Sequence, residues 1–237
     1  MLSYIKKILS QRIDDSIIAH SDVVLLCNGP SLNDVNLDLI TMPVVGMNKI
    51  YMHKKAWKKV DVLFVVNKLV IRQVLRDYLG GTFRLNSRQI ILPSHRLFSR
   101  VIFKNSLGVP TKNDHEFLKK DFFSIGSTVT NVALQFLYLS RVRSVYVIGM
   151  DHSFTQSGHA NEEQVLKDDD INHFDPNYFK NHKWHLADLE GSEVGYYRAK
   201  AKFEDIGGKI INVGSSKFNG WERISLECFY QIQNENA

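Results

Sequence analysis

Cysteine is scarce in this sequence: Cys27 lies in an apolar segment and Cys228 lies near the C-terminus. Neither stands at the spacing from other Cys or His residues that a metal site requires. We therefore predict two reduced thiols in the core of a cytoplasmic protein.

Long apolar runs are also missing. No stretch approaches the roughly 18 residues that span a bilayer, and the N-terminus lacks the apolar block and cleavage site of a signal peptide. Residues 1–13 instead combine basic side chains with apolar residues at helical spacing. These apolar residues are Leu2, Ile5, Leu9 and Ile13. We predict an amphipathic helix over 1–20 that packs on its own domain or contacts the inner face of the cell membrane.

An excess of charge of one sign is absent as well, since the net charge is only +5. No basic run with interleaved aromatic residues indicates a nucleic-acid partner, and we predict none. A small basic excess fits an anionic substrate or an anionic membrane surface. With 237 residues, of which 44% are hydrophobic, the chain suffices for one α/β domain.

Short apolar runs alternate with longer segments of helical periodicity. The predicted strands are 23–27, 43–47, 60–66, 89–92, 144–148 and 209–213. The predicted helices are 68–79, 127–139 and 193–206. Several strands are continuous apolar runs, which is typical of strands buried on both faces. The pattern predicts an α/β, Rossmann-like, doubly wound and mostly parallel sheet.

Residues 152–191 break this alternation. The segment is polar and contains five histidines, namely His152, His159, His173, His182 and His185. An insertion of about 40 residues with little periodicity is usually functional. We predict that 152–191 is a lid-type insertion over the active site, between the two parts, 21–151 and 192–237, of one nucleotide-binding domain.

Asparagine follows or ends several of the predicted strands. The residues concerned are Asn28, Asn48, Asn67 and Asn212. Ligands of a doubly wound sheet bind beyond the carboxyl ends of its strands. An amide both donates to and accepts from a base, ribose or phosphate. A single Asn there is explained by turn geometry alone, but four together favour a binding site.

The turn Asn28-Gly29-Pro30-Ser31 follows the first predicted strand. Its single glycine differs from the Gly-x-Gly-x-x-Gly of dinucleotide-binding proteins, and no Gly-Lys-Ser/Thr sequence of a phosphate-binding loop occurs. Both functions are disfavoured. We predict that Gly29 allows close backbone approach and that Ser31 caps a short helix whose free N–H groups favour a phosphate.

A second site for an anion is predicted at the start of helix 127–139. Gly126, Ser127 and Thr128 bring small residues, hydroxyl groups and free N–H groups to its N-terminus. Ordinary helix capping explains the same residues, and we leave anion binding open beside it.

Asp168-Asp169-Asp170 matches the Asp-x-Asp pattern with which many glycosyltransferases hold a divalent metal. It lies within the insertion and not at the end of a strand, so a solvated acidic patch is favoured. The histidines of the insertion lack the spacing of zinc ligands. We predict no metal site, and one or two of the histidines as general base or phosphate partners.

Four segments occur in an order that resembles a known group of proteins. They read LLCNGPSL, GMNKIYM, SIGSTVTNVALQFLYL and RSVYVIGMDHSF, with a histidine-containing insertion after them. Together they resemble the bacterial sialyltransferases that build lipooligosaccharide outer structures. They also resemble related Rossmann-like proteins, which include archaeal-type hydroxymethylpterin pyrophosphokinases and flagellin-glycosylation accessory proteins.

The resemblance implies a metal-independent transfer of an acidic sugar from a CMP-activated donor to a glycan acceptor, with no further cofactor. It implies donor or nucleotide contacts by the turn residues after three strands and by the start of one helix. The residues so implied are Asn28, Gly29, Ser31, Asn48, Ser127, Thr128 and Asp151. It also implies His185 as the base. Homo-oligomers occur in this group, and we keep one as an expectation.

The insertion departs from the family pattern. The tyrosines that the family places after its Gly-x-Asp are replaced by Ser153, Thr155 and His159, and the family's arginine before Ser124 is missing. His173 and Tyr178 are the residues that we expect to take over at the leaving phosphate. Two alternatives stay open: a Mg²⁺-dependent pyrophosphokinase acting on a pterin alcohol with ATP, and a nucleotide-binding assembly protein without catalysis.

Overall fold

The computed structural model describes residues 21–86, 88–118 and 122–235. The amphipathic helix predicted over 1–20, with its membrane contact through 1–13, lies outside the described residues. No helix in the described part of the chain is long and apolar enough to cross a membrane.

Twelve strands are described, and eight of them form one central sheet. In chain order they are β1 Asp22–Leu26, β2 Val44–Met47, β3 Val60–Phe64, β4 Gln89–Pro93, β5 Ser106–Val109, β6 Thr111–Lys112, β7 Phe123–Ser124, β8 Ser144–Ile148, β9 Glu163–Val165, β10 Lys183–His185, β11 Lys209–Val213 and β12 Glu222–Ile224. The central sheet has the order β12-β11-β8-β1-β2-β3-β4-β5, and all its neighbouring strands are parallel. Strands β6 and β7 form a separate pair, and β9 and β10 form an antiparallel pair.

Six α-helices are described. They are α1 Lys54–Lys59, α2 Lys68–Leu79, α3 Leu97–Ile102, α4 Val129–Leu139, α5 Leu189–Glu204 and α6 Leu226–Glu235. Three short 3₁₀ helices complete them, at Pro30–Asp34, Leu37–Leu39 and Ile50–Met52.

The apolar runs form a doubly wound sheet because they are buried on both faces. In β1, Val23, Val24, Leu25 and Leu26 are all 0% exposed. Val23 and Leu25 pack in one hydrophobic cluster, and Val24 and Leu26 pack in another on the opposite face. The predicted Rossmann-like fold is therefore confirmed, and its central sheet is entirely parallel.

The helices divide between these two clusters. Phe136 of α4 and Phe203 of α5 lie in the cluster with Val23. Ala56 of α1, Val74 of α2 and Phe229 of α6 lie in the other cluster. Each face of the sheet is thus covered by helices, as burial of both faces requires.

The inserted segment contributes to the second cluster. Phe174, Tyr178, Phe179 and Trp184 are buried against the helices and strands of that face. These aromatic side chains hold the segment on the sheet. Its predicted role as a lid stays a prediction.

The chain crosses the sheet between β5 and β8. Strands β2 to β5 extend from one side of β1, and the chain then returns to add β8 on the other side. The carboxyl ends of β1 and β8 therefore flank the point at which the direction of winding reverses. In open parallel sheets this point opens a crevice for ligands.

Several sequence expectations need correction. The sequence did not predict strands β5 and β12 or helix α6. The helix predicted over 193–206 lies at Leu189–Glu204. It begins earlier than predicted because Asp188 caps it by accepting from the Gly191 N–H. Cys27 is buried as predicted, but Cys228 is exposed on α6.

A buried amide, together with Phe229, fixes helix α6 to the domain, and this amide yields a stability prediction. Gln233 is 0% exposed, and its Oε1 accepts from Thr41 N at 2.8 Å and from Met42 N at 3.2 Å. We expect Gln233→Ala to lower the free energy of unfolding by about 1–3 kcal/mol, because two N–H groups lose their acceptor. Denaturant unfolding measures this. The matched control is Gln231→Ala on the exposed face of the same helix, and equal unfolding midpoints for both variants would contradict the prediction.

Candidate functional site

A cleft lies at the carboxyl ends of β1, β2 and β8. It holds about 720 Å³, counting the space open to solvent at its mouth. The cleft is lined by the turns after these strands, the start of α4, part of the inserted segment and the start of α5. The lining residues used below are Asn28, Gly29, Asn48, Ser127, Thr128, Asp151, His152, His173, Asp188 and Tyr196.

The turns after β1 and β8 meet at the floor of this cleft. Gly29 N donates to Gly149 O at 2.8 Å, and Ser31 N donates to Asp151 Oδ2 at 3.0 Å. A Cβ atom at position 29 would lie 2.1 Å from Asp151 Oδ2 and 2.7 Å from Gly149 O. Only glycine fits there, as the predicted close backbone approach requires.

The predicted cap by Ser31 is wrong. The short helix is the 3₁₀ helix Pro30–Asp34, its N-cap is Gly29, and no side chain caps it. Ser31 lies inside it and donates its N–H to Asp151. A carboxylate of the protein thus occupies the position at this helix start where we predicted a phosphate.

Two asparagines bring buried oxygen atoms to the cleft. Asn28 is 9% exposed, and its Oδ1 is buried with no hydrogen-bond partner among the described residues. Within the same part of the chain, Asn48 Oδ1 is equally buried and unpartnered. A buried acceptor without a partner costs about 1–3 kcal/mol. Both oxygens are therefore suited to accept hydrogen bonds from a ligand.

Three of the eight described residues other than glycine that have a positive φ line the cleft. Asn48, Ser127 and His152 have φ angles of 53°, 64° and 51°, and all three line it. Residues other than glycine adopt this left-handed region rarely. Such residues cluster at functional sites because the surrounding structure must hold them there.

A carboxylate lies at the start of α5. Asp188 Oδ2 accepts from Ser127 Oγ at 2.6 Å and from Asn161 Nδ2 at 3.1 Å, and Oδ1 accepts from Gly191 N at 2.9 Å. Burial acts to raise the pKa of Asp188, but these hydrogen bonds outweigh it and hold the pKa below its ordinary value. Ser127 was predicted to help start the helix, but α4 begins at Val129 and Thr128 is its N-cap.

His173 is the histidine whose ring is most firmly oriented in the cleft. Its Nδ1 lies 3.0 and 2.9 Å from the two carboxylate oxygens of Asp170. The ring stacks on Tyr178 with centroids 4.1 Å apart. Asp170 also accepts from the N–H groups of Asn172 and Phe179. Because the carboxylate accepts the Nδ1 proton, the lone pair of the neutral ring is on Nε2.

A second histidine in the cleft, His152, pairs with Glu193 of α5. Its Nε2 lies 2.8 Å from Glu193 Oε1. The ring contacts Tyr196 and Phe218, with centroids 5.9 and 5.5 Å away. The cleft thus carries two histidines, each held by a carboxylate from one ring nitrogen.

The structure places His185 outside the lining of this cleft. It ends β10, where its Nδ1 lies 2.9 Å from Asn67 Nδ2. Burial and the charge of Lys68 lower the pKa of His185, with Glu163 opposing them. Asn67 also lies outside the lining, because its Oδ1 caps α2 by accepting from Leu69 N and Val70 N.

The other candidate residues are also separate from the cleft lining. Tyr178 is 0% exposed in the core, beneath the His173 ring. Gly126 has a φ of 51°, and its carbonyl accepts from Asn131 Nδ2. His159 is exposed in a turn and donates its N–H to Glu162. Pro30 and Asn212 lie in the 3₁₀ helix after β1 and in β11, respectively.

The acidic run 168–170 is only partly the solvated patch that we predicted. Asp168 and Asp169 are exposed, and Asp169 pairs with Lys180 at 2.7 Å. Asp170 is buried. Hydrogen bonds from His173 and from the N–H groups of Asn172 and Phe179 compensate for the loss of water around its carboxylate. In residues 21–86, 88–118 and 122–235, no group of three or more His, Cys, Asp or Glu side chains has the geometry of a metal site.

Sequence reasoning did not identify Asp188 and Tyr196 of this site, and it named His152 and Asp170 only as members of a group of histidines and of an acidic run. His152 directly follows Asp151, and its position next to a strand end was the signal that could have identified it. Nothing in the sequence pairs Asp188 with Ser127, 61 residues earlier. Tyr196 occupies a helix position at which the sequence predicts an ordinary residue of the hydrophobic core.

Comparison with solved structures agrees with this fold. The chain is similar to the MAf glycosyltransferase from Magnetospirillum magneticum AMB-1, with a TM-score of 0.57 and 12% identity over 92% of this chain and 37% of that one. It therefore spans little more than a third of that protein. It is also similar to the sialyltransferase CstII from Campylobacter jejuni, solved with a substrate analogue, cytidine-5′-monophosphate. That match has a TM-score of 0.48 and 12% identity over 81% of this chain and 80% of that one.

No protein-family model matches the sequence, and no curated protein matches it significantly. At 12% identity, the likeness to the MAf glycosyltransferase establishes a shared fold. The chain thus shares a Rossmann-like fold with that protein, and its activity has to be argued from its own cleft.

The contact between Ser127 and Asp188 yields a pH prediction. A lowered folded-state pKa means that ionised Asp188 stabilises the fold above its unfolded pKa, and that this contribution is lost as the pH falls through the folded pKa. Ser127→Ala removes one hydrogen bond and leaves the burial. We therefore expect the pKa of Asp188 to rise and acid unfolding to begin at a higher pH.

A pH titration of the Asp188 carboxyl carbon by NMR measures this. Ser153→Ala is the control, since Ser153 lines the same cleft and has no hydrogen bond to Asp188 in the described residues. The same rise in both variants, or none in Ser127→Ala, would refute the assignment.

Proposed function

We propose that this chain is a glycosyltransferase that transfers an acidic sugar, sialic acid or a related nonulosonate, from a CMP-activated donor to a glycan acceptor. The glycan belongs to a bacterial surface polysaccharide or lipopolysaccharide. One observation carries the proposal: the cleft at the winding reversal combines two buried amide oxygens that have no partner among the described residues with a histidine oriented by a buried carboxylate.

The amide oxygens are suited to a nucleoside. Cytidine presents an exocyclic amino group and ribose hydroxyl groups, all of which donate hydrogen bonds. Asn28 Oδ1 and Asn48 Oδ1 accept such bonds in the proposal. Without a donor from a ligand, both oxygens would stay buried and unpaired.

His173 acts as the general base. Asp170 holds its Nδ1–H, and Nε2 accepts the proton of the acceptor hydroxyl as that oxygen attacks the sugar. The bond between the anomeric carbon and the donor phosphate breaks, the bond to the acceptor oxygen forms, and CMP leaves with the electron pair. This division of labour follows the carboxylate-histidine arrangement of other proton-transferring enzymes.

The departing phosphate needs stabilisation of its developing negative charge. The backbone N–H groups that start α4 supply hydrogen-bond donors on one side of the cleft, since the hydroxyl groups of Ser127 and Thr128 already donate to Asp188 and Thr130. His152, held by Glu193, lines another side of the cleft. The family's tyrosines are missing from this chain, and His152 takes over part of their role in the proposal.

His185 is the competing base, because the family resemblance implies it. Its Nδ1 meets Asn67, and its Nε2 lies 4.0 Å from Glu163 Oε2. Both groups lie outside the cleft that holds Asn28 and Asn48. We propose that His185 has a supporting role at the edge of the inserted segment, and kinetics of two variants separate these roles.

The ligand prediction is tested by calorimetric titration with CMP, UDP and ADP, each in EDTA and then in Mg²⁺. We expect CMP to bind equally in both buffers and more tightly than UDP. Asn28→Ala should weaken CMP binding about tenfold, because roughly 1–1.5 kcal/mol of hydrogen bonding is lost. Asn234→Ala, on the exposed end of α6, is the control. Binding of ADP alone, and only with Mg²⁺, would replace this proposal by the pyrophosphokinase.

The base is tested by CMP release from CMP-sialic acid with a panel of glycan acceptors. We expect His173→Ala to lower kcat by about 10²- to 10⁴-fold while CMP binding is retained. His185→Ala should lower kcat far less, and His95→Ala, a surface histidine, should match the unmodified protein. Loss of turnover in His185→Ala alone would assign the base to His185. CMP binding without turnover in the unmodified protein would favour the assembly protein.

A further inference from the structure

Helix α3 presents three large apolar side chains to solvent. Leu97, Phe98 and Val101 are 66%, 72% and 79% exposed. Positions 97 and 101 are one helical turn apart, and 98 and 101 are three residues apart, so all three share one face. Scattered exposed apolar residues are ordinary, but three on one face of a short helix form a patch.

The chain around this patch is strongly basic. Between residues 78 and 113 there is no Asp or Glu. The Lys and Arg residues of this stretch are Arg84, Arg88, Arg96, Arg100, Lys104 and Lys112. Their charge exceeds the net charge of +5 of the whole chain. The positive charge is therefore concentrated on the part of the fold that carries β4, α3 and β5.

Internal contacts fix the helix in position. Arg100 donates to Ser94 O and lies against Gly108 of the edge strand β5, while Ser106 Oγ donates to Arg100 O at 2.9 Å. Phe103, directly after α3, is fully buried. The inward face of α3 thus packs against the domain, whereas none of the described residues covers its apolar outward face.

The basic surface continues beyond α3. Arg88 lies over the Trp57 ring at 4.7 Å and donates to Lys58 O at 3.2 Å. This contact joins the stretch 78–113 to α1, whose sequence is KKAWKK. The basic surface of this stretch therefore continues to α1.

We propose that the outward face of α3, defined by Leu97, Phe98 and Val101 with Arg96 and Lys104 beside it, docks on an anionic lipid bilayer. Apolar side chains that enter the interface, surrounded by basic residues that attract anionic headgroups, are the two components of peripheral membrane binding. The proposal concerns described residues only, and it does not depend on residues 1–13 or on the proposed activity.

Charge decides between the bilayer and other occupants. A two-fold interface through α3 would place the same basic residues of two copies against each other, which disfavours self-association. A nucleic acid would pair with the basic residues, but it would not bury three exposed aliphatic and aromatic side chains on one face. An anionic bilayer would both pair with the basic residues and bury the apolar side chains.

The location of α3 fits such docking. The helix begins at Leu97, four residues after β4 ends at Pro93. The carboxyl ends of the parallel strands all lie at one edge of the sheet, and the cleft opens at that edge. Docking through α3 would therefore bring the cleft's edge of the sheet toward the membrane.

The test is co-sedimentation of the full chain with phosphatidylcholine vesicles and with vesicles that also contain phosphatidylglycerol. We expect binding to the anionic vesicles that weakens as salt rises. Leu97→Ser/Phe98→Ser/Val101→Ser should lower the partition coefficient at least about tenfold. Arg96→Gln/Lys104→Gln should lower it about tenfold on anionic vesicles only.

The matched control is Val194→Ser/Ile206→Ser, since these side chains are 42% and 38% exposed on and just after α5. Circular dichroism and thermal unfolding establish that each variant is folded. No binding by the unmodified protein, or equal binding by the α3 variant and the control, would overturn the proposal. So would a dimer in sedimentation velocity that the α3 variant abolishes, or tight oligonucleotide binding with no vesicle binding.

Discussion

The contact between the turns after β1 and β8 is the constraint on which this cleft depends. Cys27 N donates to Ile148 O and Gly29 N donates to Gly149 O, both at 2.8 Å. Asp151 then accepts from Ser31 N, and its own carbonyl accepts from Lys217 N at 2.8 Å. These bonds set the floor between the two strand ends. Any side chain at position 29 would disrupt them, and the neighbouring Asn28 would lose its placement.

The inserted segment carries the proposed base, and aromatic contacts hold that ring in place. His173 stacks on Tyr178 and meets Phe179 and Trp184 edge-on, with centroids 5.1 and 6.4 Å away. Tyr178 in turn contacts the backbone of Lys49. A base must be held within a narrow range of orientations to take a proton efficiently, and this aromatic packing provides it. The same core that stabilises the fold thus positions the proposed catalytic ring.

The sheet was predictable from the sequence, and half of the site was not. Continuous apolar runs such as Val23–Leu26 identify strands buried on both faces, and the asparagines at the ends of β1 and β2 follow from that. The sequence did not predict the role of Asp170, because an acidic run is usually exposed to solvent and the hydrogen-bond partners of Asp170 lie in loops. The hydrogen bond of Ser31 could not be predicted either, since Asp151, whose carboxylate accepts from the Ser31 N–H, is 120 residues away in the sequence.

The central claim is that the cleft between β1 and β8 binds a cytidine nucleotide, and NMR of amide groups during a CMP titration tests it most directly. The account predicts the largest shifts in the side-chain amides of Asn28 and Asn48 and in the backbone amides that start α4. A second depression, at the other end of the sheet, is lined by residues including Lys209 and Trp221. Shifts confined to that depression, or none at the asparagines, would contradict the account.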